Sequence, residues 1–353
     1  MPVILRFSIF LSFIIPICAS FSGQPEAPVR FIGYGNMPSV AVGQDGKVYV
    51  VFGRKDSIFL TYSSNQGQSF STPSLITELP RMYSFAMRGP QVASTNRGLV
   101  ITAITQAGNI YSLTSPDGIS WSKPARVNDT DSSAPEGLMS ISAHRNNVFA
   151  VWLDIRGNRR NKIYGSSSVD GGVSWQPNKL IYQSPDSTVC ECCKPSVMMR
   201  GDRVYVMFRN WLEQNRDLYL MHSIDRGKSF SSAAKLGTGS WKLNGCPMDG
   251  GGIDMNGKGD VQTVWRRESK IYTAIPGRTE SEIGEGKSCV MVSLQNKNIY
   301  AWVHKGDIVI RRSDGQLIKP GKGASPVLKK LDPNTAICVW ENENQIEAAV
   351  FAL

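Results

Sequence analysis

The sequence predicts an all-β protein built as a β-propeller of four-stranded blades, in which seven blades are favoured and six are possible. Three observations predict this fold. The composition is rich in residues typical of strands and turns, a short turn motif recurs four times, and an apolar strand pattern recurs seven times. One copy of such a motif would be weak evidence, whereas regular repetition indicates an array of similar units.

The composition excludes several classes of protein. The chain has 353 residues, of which 41% are hydrophobic and 19% are charged. Intrinsic disorder needs fewer apolar residues and more charge, and a coiled coil needs far more Ala, Glu, Lys, Leu and Arg. The 33 Gly and 19 Pro favour short strands joined by many turns. A chain of this length can form either two domains or one large all-β unit.

The excess of basic over acidic residues indicates the charge of the ligand. The sequence has 39 Lys and Arg against 29 Asp and Glu, which gives a net charge of +10. A basic surface favours anionic ligands in general. Proteins that bind nucleic acid usually cluster their basic residues in one stripe, and no run of five basic residues occurs here. We therefore expect an anionic ligand other than a nucleic acid.

The first residues have the pattern of an export signal. Arg6 is the only charge before an apolar run over residues 7–17, and small residues follow that run. This pattern predicts a signal peptide over residues 1–22 and an exported, secreted or periplasmic, protein. Lipid attachment at Cys18 is not expected, because Ile17 stands where a small residue would be needed. No other apolar stretch approaches 18 residues, so no transmembrane segment is expected in the single domain over residues 23–353.

A strand pattern of the type Val-Tyr-Val-Val-Phe recurs along the chain and is interpreted as the second strand of each blade. The seven copies cover residues 48–52, 100–104, 148–152, 204–208, 261–265, 299–303 and 336–340. Several first strands open on a proline, namely Pro38, Pro90, Pro195 and Pro326. Residues 326–353 have room for only three strands. We expect residues 29–34 to supply the fourth and so to close the ring without open edges.

Four segments share a turn motif that reads S-x-D-x-G-x-S-W in its fullest form. They start at residues 63, 115, 168 and 223, which are 52, 53 and 55 residues apart. The side chain of the Asp, or of Asn in the first copy, can accept hydrogen bonds from the backbone of a tight loop. The Gly can take the positive φ that such a loop needs. We predict structural roles for Asn65, Asp117, Asp170 and Asp225.

These segments resemble the Asp-box, or BNR repeat, of sialidases and related β-propellers. The resemblance implies that the boxes lie between the third and fourth strands of their blades and that a ligand binds in the central funnel on the opposite face. Sialidases have six blades, and the box spacing also suits six, whereas the count of strand pairs favours seven. Sialidases carry an Arg-Ile-Pro motif whose Arg binds the substrate carboxylate. Asn36-Met37-Pro38 stands there in this chain, and a sialidase-type Tyr–Glu pair cannot be assigned.

The propeller topology predicts which residues share the funnel face. Residues just before the first strand and just after the second strand of each blade should meet there. Arginines are prominent among them, and their guanidinium groups match carboxylates. We predict ligand-binding residues at Asn36, Arg54, Arg88, Arg156, Arg209 and Arg266. Glu136 and Asp154 are candidate catalytic acids. The alternative is that these charges pair with one another on a polar loop face.

The cysteines form a second feature. Cys190, Cys192 and Cys193 fall within four residues, and Cys246 enters the next blade, so these four should be neighbours at the funnel mouth. An even number of cysteines in an exported protein favours disulfides, and two bridges between the entrance loops are expected. The alternative is a soft-metal site for Cu or Zn, or a redox site, at the same four residues. No other cofactor is predicted.

Two functions follow from these observations. The first is an exported, sialidase-like propeller that binds a sialic-acid-like or uronate-bearing glycan in its funnel, with or without hydrolysing it. The second is a non-catalytic binding propeller, or a metal or redox propeller, with the cysteine cluster at its mouth. The sequence leaves the sugar, the disulfide connectivity and the oligomeric state open.

Overall fold

A computed structural model of the protein describes residues 28–353, which form 28 strands in seven four-stranded antiparallel sheets. The prediction of an all-β, seven-bladed propeller is confirmed. The predicted signal peptide over residues 1–22, including Cys18, lies outside the described residues. Within residues 28–353 no helix has the length and apolar character needed to cross a bilayer.

The first described strand is β1 (Arg30–Tyr34), and the blades follow in chain order. Blade 1 contains β2 (Asn36–Val42), β3 (Val48–Arg54), β4 (Ser57–Ser63) and β5 (Ser74–Glu78). Blade 2 contains β6 (Gln91–Thr95), β7 (Gly98–Ile104), β8 (Ile110–Ser115) and β9 (Ala125–Arg126). Blade 3 contains β10 (Met139–His144), β11 (Asn147–Asp154), β12 (Lys162–Ser168) and β13 (Lys179–Tyr182). Blade 4 contains β14 (Ser196–Arg200), β15 (Arg203–Arg209), β16 (Leu218–Ser223) and β17 (Ala234–Lys235).

The remaining three blades complete the ring. Blade 5 contains β18 (Gly252–Met255), β19 (Val261–Arg267), β20 (Lys270–Ala274) and β21 (Ser281–Glu285). Blade 6 contains β22 (Lys287–Leu294), β23 (Lys297–His304), β24 (Asp307–Arg311) and β25 (Leu317–Ile318). Blade 7 contains β26 (Ala324–Lys330), β27 (Thr335–Asn342) and β28 (Gln345–Ala352). The first strand of each blade contacts the first strands of both neighbouring blades, so these seven strands surround a central axis.

All seven predicted strand patterns lie in the second strands of their blades. These strands are covered on both faces by the adjacent blades, which explains why they are apolar almost without interruption. Their side chains include some of the largest fully buried ones, among them Trp152, Trp302 and Trp340.

The ring closes through β1. This strand pairs antiparallel with β28, which makes it the outer strand of blade 7. The predicted role of residues 29–34 is therefore confirmed. Ile32 is 4% exposed and packs into the core shared by blades 7 and 1, together with Val40 and Ile337. One blade thus contains strands from both ends of the described chain.

The four predicted boxes lie between the third and fourth strands of blades 1 to 4, as expected. In the fourth box the Asp225 carboxylate accepts hydrogen bonds from Ser229 Oγ at 2.6 Å, Ser223 Oγ at 2.7 Å and Ser229 N at 2.9 Å. These hydrogen bonds hold the pKa of Asp225 well below its ordinary value. Asn65 makes equivalent contacts in the first box, where its Oδ1 accepts from Ser69 N at 2.9 Å. These hydrogen bonds are those that a structural role of the boxes requires, and that role stays a prediction.

Each box also packs against the preceding blade. Gly227 of the fourth box has a φ of 85° and lies against the ring of Phe149 in blade 3. Gly67 of the first box lies against Ile337 and Val350 of blade 7, across the closure of the ring. The boxes therefore stabilise contacts between blades as well as turns within them.

Candidate functional site

The central axis opens at both ends. On the face where the first strands begin there is a cavity of about 290 Å³, which we call the axial cavity. It is lined mainly by short segments that precede or open the first strands, including Pro38, Gln91, Ser140, Lys194, Ser196, Asp249, Gly250, Ser288 and Ser325. The opposite mouth is larger, at about 690 Å³, and is lined by the far ends of the same strands. The boxes lie on the side of this second mouth, because they join third strands to fourth strands.

Lys194 supplies a cation to the axial cavity. It directly precedes the proline that leads into β14, and its Nζ donates to Gln91 Oε1 at 2.9 Å. Among the described residues, no carboxylate forms an ion pair with this ammonium group. The surrounding protein desolvates the side chain and lowers its pKa to about 8, so it remains largely protonated at pH 7. Lys194 is thus a cation without a counterion at the wall of a cavity.

A buried carboxyl lies in the same wall. Asp249 is 0% exposed, and its Oδ2 accepts a hydrogen bond from Ser288 N at 2.7 Å. Its Oδ1 has no hydrogen-bond partner among the described residues. Burial raises the pKa of this carboxyl. The next residue, Gly250, packs directly on the carbonyl oxygen of Lys194, where a Cβ would overlap that oxygen, so the two walls of the cavity are held close together.

Four residues that precede the first strands of blades 2 and 3, on the same face as the axial cavity, are called here the rim cluster: Tyr83, Phe85, Arg88 and Glu136. Arg88 Nε donates to the carbonyl oxygen of Glu136 at 2.5 Å, and its Nη2 lies 3.9 Å from Glu136 Oε2. The Arg88 guanidinium also lies 5.9 Å from the ring centre of Tyr83 and 5.7 Å from that of Phe85. Phe85 is 52% exposed. The rim cluster therefore exposes the Phe85 ring to solvent, while the Glu136 side chain is 31% exposed and that of Arg88 only 13%.

Glu136 is the rim carboxyl with an altered pKa. Burial raises the pKa above its ordinary value, opposed by a hydrogen bond from Asn161 and by the charge of Arg88, while Glu191 adds to the increase. A carboxyl of this kind can stay protonated into weakly acidic solution and donate a proton. Glu136 thus keeps the properties expected of a candidate acid.

Asp154, the other predicted acid, has a different environment. It is 0% exposed, and its oxygens accept from Trp152 Nε1 at 2.8 Å and from Arg156 Nε and Nη2 at 2.9 and 2.8 Å. Arg156 in turn bonds Asp129 at 2.7 Å and lies 4.3 Å from the ring centre of Tyr164. This network anchors the end of β11 and does not direct Asp154 or Arg156 into the axial cavity.

Two other predicted arginines lie together and hydrogen-bond to backbone carbonyl oxygens. Arg266 Nη1 also lies 4.0 Å from Asp249 Oδ2. Arg209 is 2% exposed and donates to the carbonyl oxygens of Arg216 at 2.6 Å, Arg266 at 2.9 Å and Asp249 at 3.2 Å. Arg266 donates to Pro247 O at 3.2 Å. Both guanidinium groups lie over the Trp241 ring, 5.3 and 5.2 Å from its centre. They hold the entrance loops of blades 4 and 5 in place.

The remaining predicted ligand-binding residues are dispersed. Arg54 is exposed and stacks on Phe59, with its guanidinium 4.0 Å from the ring centre. Asn36 donates to Asn344 Oδ1 at 3.0 Å. None of the six predicted residues lines the axial cavity, although Met87, next to Arg88, does so and Arg209 contacts the backbone of Asp249. Sequence reasoning missed Lys194 and Gln91, which lie at the start of first strands, close to the positions from which it predicted Asn36 and Arg88.

The four predicted neighbours among the cysteines do come together. Cys192 and Cys246 form a disulfide, with an S–S distance of 2.07 Å. The expected second bridge is absent, since Cys190 and Cys193 are free thiols with their Sγ atoms 3.4 Å apart. The expectation of two disulfides is corrected to one. Cys289 and Cys338 are also free, and each lies in the apolar core of a different blade pair.

Polar donors surround the two free thiols of this cluster. Arg216 Nη1 donates to Cys190 Sγ at 3.0 Å, and the backbone N–H of Asp249 donates to Cys193 Sγ at 3.4 Å. The hydrogen bond between the two thiols and the charge of Arg216 lower the pKa of Cys190 to about 6, whereas burial raises the pKa of Cys193. The cluster borders the axial cavity through Asp249 and Lys194.

Comparison with known proteins agrees with this fold. Residues 100–242 match a family model described as a BNR repeat-like domain, a stretch that includes three of the boxes. No curated protein matches the sequence.

Solved structures show the same architecture at low sequence identity. Virginiamycin B lyase from Staphylococcus aureus is 14% identical with a TM-score of 0.57, and the match covers 93% of this chain and 100% of that one. A PL25 ulvan lyase is 10% identical with a TM-score of 0.53, covering 92% and 94% of the two chains. At such identities the likeness concerns the fold alone. The chain is therefore a seven-bladed β-propeller whose residues 100–242 are similar to the BNR repeat-like family.

Proposed function

We propose that this propeller binds a glycan carrying a sialic-acid-like or uronate carboxylate, and that the carboxylate enters the axial cavity. One observation carries the proposal: Lys194 lines that cavity, and within residues 28–353 its ammonium group has an amide oxygen as its partner and no carboxylate. A partly desolvated cation gains from a charge-assisted hydrogen bond to an anion. A ligand carboxylate would supply the missing counterion.

The size and edge of the cavity suit the end of a glycan. Its volume of about 290 Å³ is at the lower end of the range of roughly 300–1,000 Å³ found for ligand pockets. We therefore expect one carboxylate-bearing sugar to enter while the rest of the glycan lies across the rim. There the exposed ring of Phe85 offers an apolar face against which a sugar ring can pack. The net charge of +10 favours the approach of an anionic ligand.

The comparisons lend this proposal limited support. The PL25 ulvan lyase is described as bound to a glycan that contains a uronate, -[GlcA(1-4)Rha3S]-. A propeller of similar architecture thus holds such a ligand in at least one other protein. At 10% identity the likeness concerns the fold alone, and we infer binding by this chain from its own cavity. We also propose that residues 1–22 direct export of the protein. Export would bring it into contact with extracellular glycans.

Hydrolysis of the bound glycan is a second candidate function, and the observation that favours it is the environment of Glu136. Its pKa is raised by burial, and Tyr83 stands in the same cluster with its hydroxyl donating to Pro135 O at 2.6 Å. Sialidases pair a Tyr nucleophile with a Glu. We expect loss of Glu136 to abolish turnover. Asp154 is not expected to act as the acid, because its oxygens already accept hydrogen bonds from Trp152 and Arg156.

The test is a glycan array followed by a hydrolysis screen on every glycan that binds. The array should contain sialylated, uronate-bearing and neutral glycans of matched length. We expect binding confined to the carboxylate-bearing members. Binding of neutral glycans with equal strength would contradict the proposal. Release of sugar by the wild type and its loss in Glu136→Gln would establish hydrolysis, whereas binding without release would leave a binding protein.

A further inference from the structure

Four cysteine sulfur atoms lie together beside the axial cavity. Three of them come from the loop before β14, and Cys246 comes from the loop before β18. Cys190 Sγ lies 3.4 Å from Cys193 Sγ and 3.7 Å from Cys192 Sγ, and Cys192 is bonded to Cys246. The sulfur atoms of Cys190, Cys192 and Cys193 all lie within 4.8 Å of one another.

These separations match those of a tetrathiolate metal site. Zinc bound by cysteine has Zn–S distances of about 2.3 Å in a tetrahedron, which places the sulfur atoms about 3.8 Å apart. The two non-bonded distances, 3.4 and 3.7 Å, are close to that value. Cleavage of the Cys192–Cys246 bond would let those two sulfur atoms separate to a similar distance. Only a small movement would then be needed to surround an ion.

The surroundings of the cluster also suit thiolates. The Arg216 guanidinium donates to Cys190 Sγ at 3.0 Å, and the Asp249 N–H donates to Cys193 Sγ at 3.4 Å. Donors of this kind orient metal ligands and offset their negative charge. The Cys190 backbone is itself fixed, since its N–H donates to Arg209 O at 3.1 Å. Cys246 is exposed, so a reductant can reach the disulfide.

We propose that Cys190, Cys192, Cys193 and Cys246 form a redox-controlled Zn²⁺ site. In the oxidised state the Cys192–Cys246 disulfide leaves two thiols and no tetrathiolate site. A dithiol reductant supplies two electrons: one of its thiolates attacks the disulfide, its second thiol closes its own ring disulfide, and Cys192 and Cys246 are released. One Zn²⁺ then binds the four sulfur atoms as thiolates and displaces the protons that they still carry.

This arrangement has a structural consequence. The disulfide links the entrance loops of blades 4 and 5 in the oxidised state, and the metal ion would link the same loops in the reduced state. Lys194 directly follows Cys193, and the Asp249 N–H donates to Cys193 Sγ. Both residues would therefore stay in place in the oxidised and in the reduced, metal-bound state. Reduction without metal would release the loop that carries Cys246.

Cobalt provides the first test, because tetrahedral Co²⁺ bound to thiolates has intense sulfur-to-metal charge-transfer bands. The full chain is reduced anaerobically with a dithiol, freed of reductant and titrated with Co²⁺, then with Zn²⁺. We expect one Co²⁺ per reduced chain, complete displacement by Zn²⁺ and no bands from the oxidised chain. Cys193→Ser should weaken binding at least about tenfold. The matched control Cys338→Ser changes a buried thiol in another blade and should bind like wild type.

A second measurement needs no variant and so does not depend on the folding of a mutant. The six cysteines of residues 28–353 react with a thiol reagent in unfolded, reduced protein. Zn²⁺ should protect four of them from a thiolate-directed alkylating agent in the folded, reduced chain, identified by peptide mapping as the four of the cluster. A reduced chain that binds no Co²⁺, or that protects none of these four, overturns the proposal. Equal Co²⁺ binding by Cys193→Ser overturns it as well.

Discussion

Lys194 and the predicted arginines differ in what their side chains contact. A guanidinium group has five N–H donors, and a buried one must satisfy them within the protein. Arg209 and Arg266 do so by donating to backbone carbonyl oxygens. The position of a residue relative to the strands of its blade indicated whether it lies on the funnel face. It could not show whether the N–H donors of that residue already bond to other groups of the protein. Lys194 has fewer donors and a single amide partner, which leaves it available.

The pH dependence of binding should report on Glu136. Burial raises the pKa of this carboxyl above 4.5, so it stays neutral to a higher pH than an ordinary Glu. Its ionisation adds a negative charge to the rim, near Arg88 and Glu191. The affinity for a carboxylate-bearing glycan should therefore fall as pH rises from about 4.5 through the raised pKa. Titration calorimetry across weakly acidic pH measures this change.

Glu136→Gln is the matched variant for that measurement. It keeps the shape and the hydrogen bonding of the side chain and removes the ionisation. We expect its affinity to be nearly independent of pH over the same range, because ligand carboxylates are already ionised there. The same pH dependence in wild type and variant would show that another group is responsible.

At the scale of single elements, the boxes offer an internal comparison between Asp and Asn. The hydrogen bonds from Ser229 and Ser223 lower the pKa of Asp225, so this carboxylate stabilises the fold above its ordinary pKa of 3.8 and loses that effect as pH falls. Asn65 already makes the equivalent turn without an ionisable group. Asp225→Asn should therefore have a lower Tm than wild type at pH 7, where it lacks the ionised acceptor, and should lose less of its Tm than wild type on acidification.

Asp225→Ala is the contrasting variant. It removes the acceptor altogether and should lower the Tm at both pH values, because the backbone N–H of Ser229 loses its partner. Thermal unfolding at neutral and acidic pH separates the three proteins. An Asp225→Asn variant as unstable at pH 7 as Asp225→Ala would contradict the turn mechanism.

The packing of boxes on the preceding blade can be tested at Gly227. Gly227 and Gly277 have φ of 85° and 81°, but only Gly227 lies against a neighbour, Phe149, whereas a Cβ at Gly277 would meet nothing within 4 Å. Gly277→Ala should cost about 1–2 kcal/mol of unfolding free energy through backbone strain. Gly227→Ala should cost about 1–3 kcal/mol more from the clash. Equal losses in denaturant unfolding would mean that the box does not support the blade interface.

For the whole molecule, the second strands of the blades and the closure of the ring could be predicted from the sequence. Second strands are buried on both faces, and their sequences are therefore apolar almost without interruption. The outer strands are too short to show a recognisable sequence pattern, since β9, β17 and β25 have two residues each. The box spacing suggested six blades because boxes occur only in blades 1 to 4. Blade 5 replaces the box with a short turn between Ala274 and Ser281. The axial cation was missed because its significance depends on neighbours from a distant blade.

The closure can be tested by substitutions in β1. Ile32 is 4% exposed in the core between blades 7 and 1, whereas its neighbour Phe31 is 52% exposed. Ile32→Ala should lower the free energy of unfolding by about 2–5 kcal/mol. Phe31→Ala, the control in the same strand, should change it by less than about 1 kcal/mol. Chemical denaturation measures both, and similar effects would show that β1 does not carry the closure.

Above all, we expect Lys194 to bind the carboxylate of a glycan. The most direct measurement is calorimetric titration of wild type and Lys194→Met with a glycan identified by the array and with its methyl ester, using Lys330→Met at the opposite mouth as the control. Wild type and control should bind the acid roughly 10–100-fold more tightly than the ester, a difference of about 1.4–2.7 kcal/mol. Lys194→Met should bind both equally weakly. If Lys194→Met still distinguishes acid from ester as wild type does, the carboxylate binds elsewhere and the account is contradicted.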